Sequence, residues 1–195
     1  MRTDPELALE ALIEGNRRYA SSQTVHPDRG AERRAALSEK QEPFATIVGC
    51  ADSRVPAEFV FDRGLGDLFV VRTAGHVVDE AVLATIEFGA IELGVPLIFV
   101  LGHEGCGAVE AALSASEGAE VSDHAQPLIK AIMPAVDDTK SLAGDPLDNA
   151  VRANIELTLD RLGRSESLAP MINTGTIKIV GGLYYLDTGV ISLTA

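Results

Sequence analysis

Three short apolar runs, two of them separated by a helical pattern, constrain this chain more than any other feature. Ala45-Thr46-Ile47-Val48-Gly49, Leu68-Phe69-Val70-Val71 and Pro96-Leu97-Ile98-Phe99-Val100-Leu101 are bulky and bounded by polar or glycine residues. Strands read this way when both of their faces are covered. Between the second and third runs, Asp79 to Leu93 sets Val82, Ile86, Ala90 and Leu93 at helical spacing. Strand, helix and strand in that order, joined by a right-handed crossover, build a parallel sheet. The predicted fold class is therefore α/β, with a central, mainly parallel β-sheet flanked by helices.

The flanks of this centre are more polar. The first twenty residues predict a helix, with Asp4 as its cap, Pro5 in the first turn, and Leu9, Leu12, Ile13 and Tyr19 near one face. From Ser21 to Lys40 a polar stretch with His26-Pro27-Asp28-Arg29-Gly30 and Glu32-Arg33-Arg34 reads as a loop leading into a short surface helix. Residues 1–40 thus form an N-terminal helical arm with little core of its own. After the third strand, helical patterns cover about Gly107 to Ala115 and Pro127 to Arg164, the latter interrupted near Gly144-Asp145-Pro146. Thr176 to Ala195 reads as a strand that turns at Asp187-Thr188-Gly189 into an antiparallel hairpin partner at the sheet edge. At 195 residues, a single domain spanning 1–195 is the expectation.

Charge and cysteine usage exclude several functions. With 16 Lys and Arg against 29 Asp and Glu, a net charge of -13 opposes a phosphate backbone, so no nucleic-acid partner is expected. No apolar run approaches the roughly 20 residues that span a bilayer, and Met1-Arg2-Thr3-Asp4-Pro5-Glu6 does not resemble a secretion signal. The expectation is a cytoplasmic protein without membrane partners. Two cysteines, Cys50 and Cys106, are too few for a disulfide framework.

Both cysteines follow predicted strands. The first strand runs into Cys50-Ala51-Asp52-Ser53-Arg54, and the third into Gly102-His103-Glu104-Gly105-Cys106-Gly107. In an open parallel sheet, ligands bind beyond the carboxyl ends of the strands, so the two segments converge if their strands are neighbours. Two thiolates and an imidazole form a soft donor set suited to tetrahedral zinc, with Asp52 as a fourth ligand or as a residue that yields that place to water. Taken singly, each cysteine reads as a small buried hydrophobe and His103 as a core histidine. The glycine-flanked His-x-x-Cys joined to Cys-x-Asp-x-Arg after a different strand favours the metal. There is neither a G-x-G-x-x-G turn nor a P-loop lysine after the first strand, which argues against a nucleotide-binding domain.

These segments resemble the β-class carbonic anhydrases. Cys50-Ala51-Asp52-Ser53-Arg54-Val55-Pro56 is similar to that family's first zinc motif, Gly102 to Ala108 to its second, and Phe69-Val70-Val71-Arg72-Thr73-Ala74-Gly75-His76 to the stretch between. The likeness runs from about Gln41 to Ala111. It implies a Zn2+ held by Cys50, His103 and Cys106, with Asp52 either on the metal or paired with Arg54 so that water can bind. It further implies a substrate cleft lined by Gln41, Phe69 and Ala74, with Phe88 at a position where many relatives carry a tyrosine contributed by a partner subunit. Homodimers or homotetramers, with the 1–40 arm packing on the neighbour, follow from the same resemblance.

The implied reaction is the reversible hydration of carbon dioxide to bicarbonate by a zinc-bound hydroxide, with the Asp52-Arg54 dyad controlling access to the metal. Alternatives are hydrolysis of a related linear substrate such as carbonyl sulfide, and a non-catalytic zinc-binding protein. Some relatives carry an inhibitory bicarbonate site built on a tryptophan. This chain has none, and it has Ile47 three residues before Cys50, so Arg72 is read as a structural arginine at a strand end. His26, His76 and His124 are candidate proton relays, each with a surface or packing role as the simpler reading.

Overall fold

The computed structural model describes residues 4–194; residues 1–3 and 195, which the arm 1–40 and the domain 1–195 include, lie outside the described residues. Five strands, β1 (Ala45–Cys50), β2 (Leu68–Thr73), β3 (Leu97–His103), β4 (Lys178–Tyr184) and β5 (Ile191–Leu193), form one sheet in the order β2-β1-β3-β4-β5. Its first three pairings are parallel and the β4–β5 pairing is antiparallel, giving the edge hairpin. Every residue of β1 and β3 is buried, which is why these central strands show no polar alternation. Strand β2 forms one edge, and its Leu68, Phe69 and Val70 are half-buried.

Around the sheet run α1 (Pro5–Ala20), α2 (Ala31–Ala36), α3 (Ala57–Val60), α4 (Glu80–Ile91), α5 (Gly107–Ser116), α6 (Gln126–Thr139), α7 (Pro146–Gly163) and α8 (Leu168–Asn173). Helix α4 is the crossover, and it carries the chain from β2 past β1 to β3. Helices α3 and α8, of 4 and 6 residues, span less than two turns each, too short for an apolar period to show in the sequence. No helix among the described residues is long and apolar enough to cross a membrane.

Side chains of the central strands alternate between two cores. Val48, Ile98 and Val100 join Ile86, Val109, Ile132, Val151 and Ile155 on one face. Ile47, Leu97, Phe99 and Leu101 join Ala8 and Leu12 of α1, Val60 of α3, and Phe61 on the other. There Phe61 meets Phe99 edge to face, with ring centroids 5.3 Å apart.

This second core corrects the reading of the N-terminal arm. Helix α1, capped by Asp4 as expected, buries Ala8, Ala11, Leu12, Gly15 and Asn16, whereas Leu9, Ile13 and Tyr19 are only half-buried. Small residues here let the helix approach its own sheet closely, so the packing face does not follow the largest apolar side chains. Asn16 Nδ2 donates to the carbonyls of Val60 and Gly189, at 3.1 and 2.8 Å, and Asn16 Oδ1 accepts from Ile191 N. Arg18 pairs with the fully buried Asp62 at 2.7 Å. Helix α1 therefore belongs to the core of its own chain, while α2, with no buried residue, is the surface helix expected.

Candidate metal centre

Strands β1 and β3 are paired in register, Gly49 opposite Leu101, so Cys50 and His103 emerge side by side at the carboxyl edge of the sheet. The chain then turns through Gly105, whose φ of +59° is the left-handed conformation glycine adopts at little cost. Cys106 caps α5 and returns to the same place. The two Sγ atoms are 4.0 Å apart, and with the His103 ring the three donor atoms lie within 4.8 Å of one another, all in buried residues.

The arrangement fits zinc on its own geometry. Two sulfurs bound at about 2.3 Å with a tetrahedral angle stand about 3.8 Å apart. His103 Nδ1 donates to the Glu104 carbonyl at 2.9 Å, which leaves the Nε2 lone pair facing the sulfurs. That Nε2 is buried and has no hydrogen-bond partner, and an imidazole held by a carbonyl on its far nitrogen is the usual state of a metal-ligating histidine. The Cys50 thiol is pulled down to about 3, chiefly by the hydrogen bond from Cys106 and against the effect of burial, with further support from the Asp52 and Gly75 N–H groups. The same hydrogen bond and burial push the Cys106 thiol far up. The pair thus shares one proton, for which a cation would compete.

Asp52 is clamped beside this cluster. Arg54 Nε and Nη2 donate to its two carboxylate oxygens at 2.9 and 2.7 Å, and the Arg54 backbone N–H adds a third bond at 2.9 Å. This guanidinium holds the Asp52 carboxyl well below the usual carboxylate range. Asp52 Oδ2 lies 3.9 Å from His103 Nε2. Arg72 is a strand-end arginine, donating to the carbonyls of Cys50 and Asp52 at 2.9 and 2.6 Å, while Ile47 is fully buried in the sheet.

The remaining sequence candidates are distributed differently. Ala74 lies in the turn after β2, next to Gly75, whose N–H donates to Cys50 Sγ at 3.3 Å. Phe69 pairs in register with Thr46, whereas Cys50 pairs with Thr73. Four residues of strand, about 13 Å, therefore separate Phe69 from the cluster. Its ring lies against that of Phe88, with centroids 6.4 Å apart, and Phe88 is 48% exposed. Gln41 is exposed and precedes β1, beyond the strand's opposite end. One chain therefore brings together Cys50, His103, Cys106, Asp52, Arg54 and Ala74, and does not bring Gln41, Phe69 or Phe88 to them.

Of the histidines, His26 and His124 are exposed and His76 is buried. Sequence reasoning did not find Gly75 as a donor to Cys50, or Asn154, which donates to the Gly75 carbonyl at 2.9 Å. The glycine between a strand end and a buried residue was a visible sign of a tight turn, but nothing local pointed to Asn154.

The chain is also similar to known proteins. Residues 45–191 match the carbonic anhydrase family profile Pro_CA. A carbonic anhydrase of Mycolicibacterium smegmatis is 44% identical over 193 residues, covering 98% of this chain and 94% of that protein. The β-carbonic anhydrase of Coccomyxa, solved in complex with acetazolamide, superposes with a TM-score of 0.76 at 25% identity, over 95% of this chain and 85% of that one. A tetrameric β-carbonic anhydrase of Sordaria macrospora shares the fold with a TM-score of 0.75 at 22% identity, over 83% and 85% of the two chains.

Proposed function

This chain belongs to the β-carbonic anhydrases, and on that premise we propose that it interconverts carbon dioxide and bicarbonate at a zinc ion held by Cys50, His103 and Cys106. The observation that carries the zinc reading is the buried His103 Nε2, unpartnered and facing two thiols 4.0 Å apart. When bound, zinc supplies a Lewis acid that brings the pKa of a coordinated water toward neutrality.

The protein's own residues do the rest. Cys50 and Cys106, as thiolates, offset the formal charge of the ion, so the rate rises toward alkaline pH. Arg54 holds both Asp52 carboxylate oxygens beside the cluster, so that Cys50, His103 and Cys106 would hold the ion and Asp52 would remain free to meet a water there. An ionised Asp52, which can only accept hydrogen bonds, orients the attacking water by taking one from it. If Asp52 turned away from Arg54, its carboxylate would be free to ligate the metal, so the dyad would control access to it. Arg72, which donates to the carbonyls of Cys50 and Asp52, puts positive charge beside the site for the anionic product, against a net charge of -13. Ala74 keeps the wall beside Cys50 small and apolar, which suits a linear substrate without charge.

Phe69 and Phe88 lie on the half-exposed edge around β2 and α4, and we assign them, with Gln41, to the cleft of a second copy in a homodimer or homotetramer. A cytoplasmic location fits a site that needs both thiols reduced.

The test is stopped-flow hydration of carbon dioxide on protein of measured zinc content, from about pH 7 to 9, with Asp52→Ala beside it. Zinc near one per chain, with turnover that climbs with pH and falls in the variant, is the expected result. Zinc without turnover would move the assignment to a non-catalytic zinc protein, and faster conversion of carbonyl sulfide would move it to that substrate.

A further inference from the structure

Behind Cys50 lies a closed set of hydrogen bonds that the mechanism above does not use. Gly75 and His76 are consecutive left-handed residues, with φ of +61° and +45°. Histidine lacks the freedom of glycine in that conformation, so such a turn persists only if its surroundings hold it. Gly75 is held at both ends. Its N–H donates to Cys50 Sγ at 3.3 Å and its carbonyl accepts from Asn154 Nδ2 at 2.9 Å.

The same Asn154 amide reaches His76 Nε2 at 3.3 Å. An amide NH2 only donates, so Nε2 accepts and the ring proton sits on Nδ1. Nδ1 then donates to Thr158 Oγ1 at 3.2 Å, and the Thr158 hydroxyl donates to the Asn154 carbonyl at 3.0 Å. His76, Asn154 and Thr158 are 2, 3 and 6% exposed, so little solvent reaches these bonds. Gly102 makes the arrangement possible. A Cβ there would come within 2.5 Å of Ile155, so only glycine lets α7, which carries Asn154 and Thr158, lie this close to β3.

We propose that Asn154, His76 and Thr158 are positioning residues that fix the Gly75 N–H on Cys50 Sγ and so set how strongly this thiolate donates to the metal. The inference rests on the zinc reading and deepens it. A hydrogen bond withdraws charge from a thiolate; removing it makes the sulfur the stronger donor and the bound ion the weaker Lewis acid.

The experiment replaces zinc with cobalt(II), whose sulfur-to-metal charge-transfer band reports the thiolates directly. It compares Thr158→Val, Asn154→Leu and Thr158→Ser with the parent chain. Thr158→Val and Asn154→Leu are expected to move the band to longer wavelength and, in the zinc protein, to move the midpoint of the pH–rate profile upward by a few tenths of a unit. Thr158→Ser keeps the hydroxyl and is expected to overlay the parent in both. Bands and midpoints unchanged in Thr158→Val would overturn the inference, and that variant decides the matter alone if Asn154→Leu does not fold. A parent chain that takes up neither cobalt nor zinc would instead overturn the metal reading beneath it.

Discussion

At the carboxyl end of β1, Cys50 meets His103 and Cys106, while Asp52 is gripped by Arg54 and the turn behind is pinned by Asn154, all from one chain. Toward the other end of the same strand, Phe69 rests against a half-exposed Phe88 on an edge strand, and Gln41 stands in solvent. One region is preorganised by internal hydrogen bonds, and the other leaves its apolar side chains half-exposed. The comparison teaches that a donor set can be complete in a single chain while the residues assigned to its cleft are not. If that contrast is right, substitutions at the two ends should fail in different ways.

The largest effect is expected from the ligands. Cys106→Ala or His103→Ala should abolish stoichiometric zinc by atomic absorption and lower hydration by on the order of 10⁴-fold, with the chain still folded by circular dichroism. Asp52→Ala should keep its zinc and lose roughly 100-fold or more in kcat; equal loss of metal would make Asp52 a plain ligand and break its separation from the three.

Next comes the buried histidine. Burial pushes His76 down to about 4, against about 6.5 in the unfolded chain. Above pH 6.5 it is neutral in both states. As pH falls from there toward 4, the unfolded chain takes up a proton that the folded one refuses, so stability is lost with falling pH. Between pH 7 and 5 this loss is about 2 kcal/mol, read as the extra drop in urea-unfolding free energy of the parent chain relative to His76→Asn. Equal drops in the two proteins would mean that His76 is protonated in the fold.

The smallest effect is at the aromatic pair. Phe88→Ala should leave zinc content and the single-chain melting temperature nearly unchanged. It should weaken self-association by about 1 kcal/mol per copy, measured by sedimentation equilibrium, with a matching fall in activity at low protein concentration. A dissociation constant that does not move would place this end of β1 outside the interface.

The sheet was legible because β1 and β3 are buried on both faces and carry that fact as nearly continuous apolar runs. The two metal-type segments were legible because each follows directly on such a strand, and the one assumption needed, that the strands are neighbours, holds. The docking of α1 was not, since Ala8, Ala11 and Gly15 pack by close approach, while amphipathic reasoning weights the larger Leu9 and Ile13. Nor was the distance of Phe69 from Cys50, which depends on a register that pairs Phe69 with Thr46 and leaves Thr73 for the cysteine. Asn154 stayed hidden because its place beside Gly75 is set by α7 lying close over Gly102, a contact with no local signature.

Asn16 gives the fold a timetable. Its partners Gly189 and Ile191 lie 173 and 175 residues further on, an interval of roughly 9–35 s at ordinary rates of protein synthesis. Helix α1 therefore leaves the ribosome long before the strand that anchors it exists, with Ala8 and Leu12 still lacking their full cover. Both cysteines are also made before this latch can close. A nascent chain interrupted ahead of Gly189 would hold every residue of the donor set and still expose the apolar flank of its first helix, which makes such fragments natural clients for a chaperone.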